Sequence, residues 1–342
     1  MTRLVYLGSY TPDSSAPGNG SGISVYRQDA ASGGLTPVGD VTPVSGPSFL
    51  AWHPTGRFLY AVTERRDGSV NAYAVDGAAL RPLGARPTGG VDPCHLSVDP
   101  TGRYLVTANY GSGSVSVHPI ATDGSLGERV DLVQHKGSGP VTERQEGPHA
   151  HQARFDPAGR YLLVNDLGTD TITAYRLEGG RLAEAARTAL PAGTGPRHLA
   201  FGPGHLVYLA GELSSTVTAL SYDAESGALT VLGSARTTGY DGDNFPSEIA
   251  ASADGRYVYV ANRGANTVGV LATSPTGVRL VAEVATGGDW PRNLILLDGF
   301  LYVANQNSDT VGIFRVDAET GIPEPAGSLA VPSPAVLLAS LS

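Results

Sequence analysis

The sequence predicts an all-β fold, a seven-bladed β-propeller in which both chain ends contribute strands to one closing blade. Three observations predict it. Seven prolines, Pro47, Pro93, Pro148, Pro196, Pro246, Pro291 and Pro334, each lead into a short apolar run and a hairpin-like turn, and they are separated by 46, 55, 48, 50, 45 and 43 residues. A self-similar period of this size is that of a propeller with one four-stranded blade per repeat. Inside each repeat, β-branched and aromatic runs alternate with Gly, Pro, Asp and Asn punctuation, the signals of strands and hairpins. The two chain ends, finally, each match only part of a repeat, and the parts are complementary.

The elements follow in order. Residues 4–7 (LVYL) match the second strand of a blade and residues 23–26 (ISVY) the third. Six fuller repeats follow, such as PCHLSVDPTGRYLVTANYGSGSVSVHPI and PSEIAASADGRYVYVANRGANTVGVL. Each holds a short apolar strand and then a turn such as Asp99-Pro100-Thr101-Gly102. A β-rich strand such as residues 257–260 (YVYV) comes next, then a polar turn and a third strand such as residues 267–270 (TVGV). Residues 180–186 (GRLAEAA) have helix-forming composition, yet the register assigns them to the outer strands of a blade. Residues 334–338 (PAVLL) supply the first strand missing from the N-terminal set. Seven anchors leave no segment over for a further domain, so residues 1–342 read as one propeller domain. Such short strands are not stable alone, and neighbouring blades must bury each other's faces.

Composition narrows the function classes. The net charge is −9, whereas a nucleic-acid partner asks for a basic stripe. Lys136 is the only lysine, so no polybasic membrane patch exists. No run of about 18 apolar residues offers a transmembrane helix. The N-terminal MTRLVYLGSY lacks the apolar core of a signal peptide. The single Cys94 excludes an internal disulfide and fits a reducing compartment, so the cytoplasm is the expected location and a monomer the expected state.

Topology then says where chemistry would sit. Adjacent strands of a blade run antiparallel, so the start of the innermost strand and the turn after the second strand fall on one face. Two sequence columns converge there. The first reads Ser48, Cys94, His151, Arg197, Ser247 and Arg292, with neighbours Phe49, His95, Gln152, His198, Glu248 and Asn293. The second reads Glu64, Tyr110, Asp166, Glu212, Arg263 and Gln306. Charged and aromatic groups of both signs gather at this mouth, the mix of a site that holds an anion and moves a proton. His151, Arg197, Glu212 and Arg263 lie on consecutive blades and form the candidate catalytic arc. His149, His198, Arg292, Tyr110 and Glu248 are candidates for substrate binding. Loop positions are also charged simply because they are wet, and His95 and Tyr110 are suited to hydrogen bonds between blades. Asn109, Asn165, Asn262 and Asn305 recur at one repeat position, which marks them as turn residues that cap or adopt left-handed conformations.

Other chemistries find little support. His149 and His151 form an HxH pair that would need a carboxylate to seed a metal site. No GxSxG elbow, GxxxxGK loop or strand–GxGxxG–helix occurs. Cys94 in the first column reads as a buried filler.

The segments GPHAHQARFDPAGRYLLV, TGPRHLAF, GELSSTV and ADGRYVYVANRGANTV resemble the seven-bladed propeller lactonase family, over essentially the whole chain. That family includes bacterial 6-phosphogluconolactonases of the propeller type and fungal carboxy-muconate lactonizing enzymes. The resemblance implies active-site roles for His151, Arg197, Glu212 and Arg263, with His149 an added histidine just ahead of the first. It implies hydrolysis of a small anionic sugar lactone such as 6-phosphogluconolactone. A muconate-type cycloisomerase and a non-catalytic propeller scaffold are the alternatives. Arg197 and Arg263 would clamp the anion, since planar guanidinium binds phosphate or carboxylate bidentately. Glu212, tuned upward by partial burial, and His151 would transfer protons. An aldonolactone is already electrophilic, so the reaction calls for no metal, cofactor or covalent nucleophile.

Overall fold

A computed structural model describes residues 3–341. Seven sheets, each of at least four antiparallel strands, follow one another around a ring. The first complete blade comprises Leu50–Trp52, Phe58–Thr63, Ser69–Asp76 and Ala79–Pro87. Five more repeat the pattern, with inner strands Pro93–Val98, Ala150–Phe155, Pro196–Phe201, Phe245–Ala251 and Pro291–Leu297. The seventh is built from both ends. Leu4–Ser9 pairs with Gly22–Gln28 on one side and with the C-terminal Pro334–Ala339 on the other. Its outer edge is Leu35–Pro37, and the short Thr42–Pro43 also pairs with Gly22–Gln28. The helix-like segment around Leu182 is indeed an outer strand, Arg181–Ala189. Strand register overrides its propensity there, because Glu184 and Ala186 face Tyr175 and Ala174 of the third strand.

Blades are held to each other by apolar layers and by tyrosines. Val5 and Leu7 of the closing blade pack on Tyr302, Val311 and Ile313 of the sixth. On its other face, Tyr6, Ile23 and Val336 pack on Leu59, Ala61 and Tyr73 of the first. Equivalent clusters fill the other five junctions. Buried tyrosines bridge five of these seven junctions: Tyr6, Tyr60, Tyr161, Tyr259 and Tyr302 donate to the carbonyls of Gly77, Gly124, Glu225, Gly321 and Gly33 of the next blade.

One feature of the ladders sets the direction of the site residues. At the start of each inner strand of the last six blades the pairing slips. Ala150 faces Asp166 and Gln152 faces Asn165, which leaves His151 unpaired between them. The same slip frees Cys94, Arg197 with His198, Ser247 with Glu248, Arg292, and Ala335. A bulge of this kind re-aims a side chain at the rim of a sheet. In five of these six blades a proline flanks the slip; it has no backbone N–H to give to a ladder, so a break in pairing beside it costs little.

The recurrent asparagines are not turn residues. Asn109, Asn165, Asn262 and Asn305 lie at the last or next-to-last position of the second strands, fully buried, and none is left-handed. Their carboxamides donate to the carbonyls of Ser114, Arg197, Thr237 and Thr286. The left-handed positions lie later in the turns, at Asp170, Ser215, Asn266 and Asp309.

Closure of the ring by Pro334–Ala339 makes a testable demand. Deleting residues 334–342 is expected to abolish the cooperative thermal transition. Leu337→Ala, which empties a buried position, is expected to cost about 2–5 kcal/mol in a denaturant melt. An unchanged melting curve for the truncated chain contradicts closure by this strand.

Candidate active site

The two sequence columns meet at one mouth of the central channel. There a cavity of about 300 Å³ is lined by Cys94, His151 and Arg292 from inner strands, and by Glu64, Tyr110, Glu212 and Arg263 from the ends of second strands. Ser15, Ala16, Asp92 and Arg144 complete the wall.

Glu212 is the centre of charge. It follows the strand Leu206–Gly211, and its amide donates to the Gly195 carbonyl at 2.8 Å. One carboxylate oxygen, Oε1, accepts from Arg144 Nη2 at 2.6 Å. The other, Oε2, lies 3.1 Å from Arg197 Nε and 2.7 Å from Arg263 Nη2. The last two contacts are close but off-line, so neither counts as a hydrogen bond and they act through charge. Burial would raise the Glu212 pKa, but Arg263, Arg197 and Arg144 outweigh it and bring it down to about 2. That reverses the expectation of a glutamate tuned upward. Glu212 is an anion at any working pH and a poor proton acceptor.

The arginines differ in access. Arg197 is buried beneath Glu212 and does not reach the cavity wall. Its pKa falls to about 10, through burial and the neighbouring Arg263. Arg263 donates Nε to the Phe245 carbonyl at 3.0 Å and lies over the Trp290 ring, 5.5 Å from its centroid. Gly264 at φ 104° lets the chain turn just after it, where a Cβ would strike the Asp243 carbonyl. Arg292 packs on the Tyr10 ring at 4.9 Å, with Glu64 Oε1 3.7 Å from its Nη2. Arg144 comes from the long connection before Pro148, with its side chain 35% exposed. The buried Gln145 fixes that loop by donating to the Leu167 carbonyl and to Asp170, each at 2.8 Å.

His151 faces the cavity with Nδ1 3.9 Å from Cys94 Sγ. Burial first, then Arg197, His198 and Arg292, push its pKa well below the usual imidazole range, so the ring is neutral. Burial, helped by Glu64, raises the Cys94 pKa far above its usual value, and the thiol is not a nucleophile at neutral pH. Tyr110 stacks on His149 at 4.5 Å.

Other expected site residues lie elsewhere. His149 supports rather than lines the cavity: its Nδ1 is 2.9 Å from the Tyr110 carbonyl and its Nε2 3.2 Å from Glu146. Glu248 and His198 are the second of the two residues that each bulge leaves unpaired. Phe49, His95, Gln152, Glu248 and Asn293 line a separate cavity farther along the channel. Glu248 is saturated there by His198 Nδ1 at 3.0 Å and Asn293 Nδ2 at 2.7 Å. His95 links two blades through the Ala153 amide. Asp166 is structural: it holds His135 at 2.6 Å and the amides of His149, Gly168 and Thr169. Among the described residues no three His, Cys, Asp or Glu side chains gather as a metal site.

Arg144, Asp92 and the Ser15–Ala16 loop lie outside both columns. Spacing carried a signal for two of them. The longest interval between anchors, 55 residues from Pro93 to Pro148, contains Arg144. The link from Ser9 to Gly22 is the longest between a second and a third strand, and it carries Ser15.

The fold is a closed seven-bladed propeller with a charged, arginine-lined pocket at one channel mouth. The chain belongs to the family described as "Lactonase, 7-bladed beta-propeller", which it matches over residues 4–339, and it is a lactone hydrolase. It is 35% identical over 333 residues to the 6-phosphogluconolactonase of Bacillus subtilis (strain 168), covering 94% of this chain and 93% of that one. It superposes on the periplasmic gluconolactonase of Pseudomonas aeruginosa with a TM-score of 0.92 at 32% identity, covering 100% of this chain and 99% of that one. A protein from Lactobacillus plantarum gives the same TM-score at 34% identity, covering 99% of each chain.

Glu212 links the site to stability. With its pKa lowered from 4.5 to about 2, its contribution is complete above about pH 4.5 and fades as the pH falls towards 2. Glu212→Ala is expected to cost about 3–5 kcal/mol at neutral pH by leaving buried arginines uncompensated. The wild-type minus Glu212→Ala difference, from denaturant melts, should shrink between pH 4.5 and 2. A difference independent of pH contradicts the ionised assignment.

Proposed function

We propose that the protein hydrolyses a phosphorylated sugar lactone, with 6-phosphogluconolactone as substrate and 6-phosphogluconate as product. The observation that carries this reading is the set of arginines at the mouth. Arg144, Arg263 and Arg292 line one small cavity, with Arg197 beneath, in a chain of net charge −9. The naming of the Bacillus subtilis relative supports the same substrate.

The geometry redistributes the roles that the sequence suggests. Arg292 and Arg144 are the better anion clamp. Arg292 lies too far from Glu64 for a hydrogen bond, and Arg144 is the most exposed of the four. Arg197 and Arg263 share the charge of Glu212 with Arg144, and Arg263, which also lines the cavity, is in reach of charge that develops on the lactone carbonyl. His151 is a neutral ring, suited to giving an N–H to that oxygen without carrying charge into the site. A muconate cycloisomerase would use the same groups in reverse, but the relatives named for gluconolactones favour hydrolysis. A phosphorylated sugar is retained by membranes, so this reading sets the reaction in the cytoplasm.

The test is hydrolysis of 6-phosphogluconolactone and of neutral glucono-δ-lactone by chelator-treated protein, followed by pH-stat and corrected for the spontaneous rate. The phosphorylated lactone should be the better substrate. Arg292→Ala should raise its KM by about 10–100-fold, the worth of a charge-assisted hydrogen bond, and raise that of the neutral lactone much less. His151→Ala should lower kcat by about 10²–10³ on both. Equal losses on both lactones for Arg292→Ala overturn the phosphate clamp.

A further inference from the structure

We propose that Glu64 is the general base that activates the hydrolytic water. The inference rests on the lactonase reading and adds a catalytic residue to it. Hydrolysis needs a proton acceptor in contact with the bound lactone. Among the described residues, three carboxylates line the cavity: Glu64, Asp92 and Glu212. Glu212 has both oxygens occupied by three arginines. Asp92 lies at the rim, engaged by the Ser15 hydroxyl. Glu64 is buried to 8% exposure, yet forms part of the cavity wall.

Its two oxygens are in different situations. Oε2 accepts a hydrogen bond from the Tyr10 hydroxyl at 2.8 Å. Tyr10 is itself wholly buried, and burial keeps its hydroxyl protonated. Oε1 accepts no hydrogen bond from the protein, and Arg292 Nη2 lies 3.7 Å from it, beyond hydrogen-bond distance. One lone-pair face is therefore free while the other is anchored. The backbone is fixed as well: the Glu64 amide donates to the Gly46 carbonyl, and its carbonyl accepts from Ser15. Tyr10, Arg292 and Cys94 are the charged or titratable groups around Glu64. Across the cavity stand Asp92, Arg144, His151, Glu212 and Arg263.

The step balances with water alone. As the water oxygen bonds to the lactone carbonyl carbon, one of its protons passes to Glu64 Oε1. The oxyanion re-forms the carbonyl and breaks the bond to the ring oxygen, which leaves with the electron pair and receives the proton from Glu64. The new carboxylic acid then loses its own proton to solvent.

Rates are measured from pH 4.5 to 8.5 on glucono-δ-lactone, which has no titrating group, and at pH 7 on 6-phosphogluconolactone. Glu64→Gln should lower kcat by about 10²–10⁴ on both with little change in KM. Formate should restore part of the rate to Glu64→Ala. A kcat within about threefold of wild type in Glu64→Gln, or a loss confined to KM, overturns the assignment. A wild-type protein inert on both lactones overturns the lactonase reading, and this assignment with it; an active wild type indifferent to Glu64 overturns the assignment alone.

Discussion

No blade of this molecule has a core of its own. Each is a single sheet with apolar residues on both faces, and each apolar cluster is completed by a neighbouring blade, as Leu163 and Ile172 are by Leu199 and Leu209. The hydrophobic gain from such burial, roughly 25 cal/mol per Å², accrues only when a blade is flanked on both sides. The ring must therefore close, and it closes through hydrogen bonds between Leu4–Ser9 and Pro334–Ala339. The active site inherits this dependence. Ser15, Glu64, Cys94, His151, Glu212, Arg263 and Arg292 come from seven different blades. A loosened junction anywhere in the ring alters the cavity wall.

The slipped register at the start of the inner strands turns that scaffold into a site. In an unbroken strand, side chains alternate strictly between faces. The extra residue at the start of each of these strands lets His151 or Arg292 face the mouth, while its successor Gln152 or Asn293 faces farther along the channel. The two columns were legible in the sequence because the repeat register is independent of bulges. Which column faces the mouth was not legible for Glu248 and His198. A one-residue slip sends neighbours to different ends of the channel, and nothing in residue type records it.

The fold was readable because its signal is repeated, so each strand supports the assignment of the next. The asparagines of the second strands show the limit of the same logic. Their recurrence was visible, but Asn is common in left-handed turns and equally able to tie a buried carbonyl, and only the burial of Asn165 against Arg197 decides between them. Arg144 was hidden for another reason. It belongs to an irregular connection in which spacing marks an insertion but not the residue that reaches back. Its place is set by Gln145, whose amide is locked to Leu167 and Asp170 of the third blade.

The electrostatics of the mouth couple binding to chemistry. His151 is neutral because it is buried and because Arg197 and Arg292 add positive potential. Arg292 also lines the cavity that an anion would enter. A dianionic group bound at Arg292 offsets part of that potential, and in a buried setting such an offset is weakly screened. The imidazole of His151 then binds a proton more readily in the complex than in the free enzyme. Glu212 cannot respond in the same way. Its charge is already balanced by three guanidinium groups, so an added anion competes with it for the arginines rather than changing its protonation. The site thus combines a carboxylate whose charge three arginines already balance with a buried imidazole whose proton affinity would rise with an anion at Arg292.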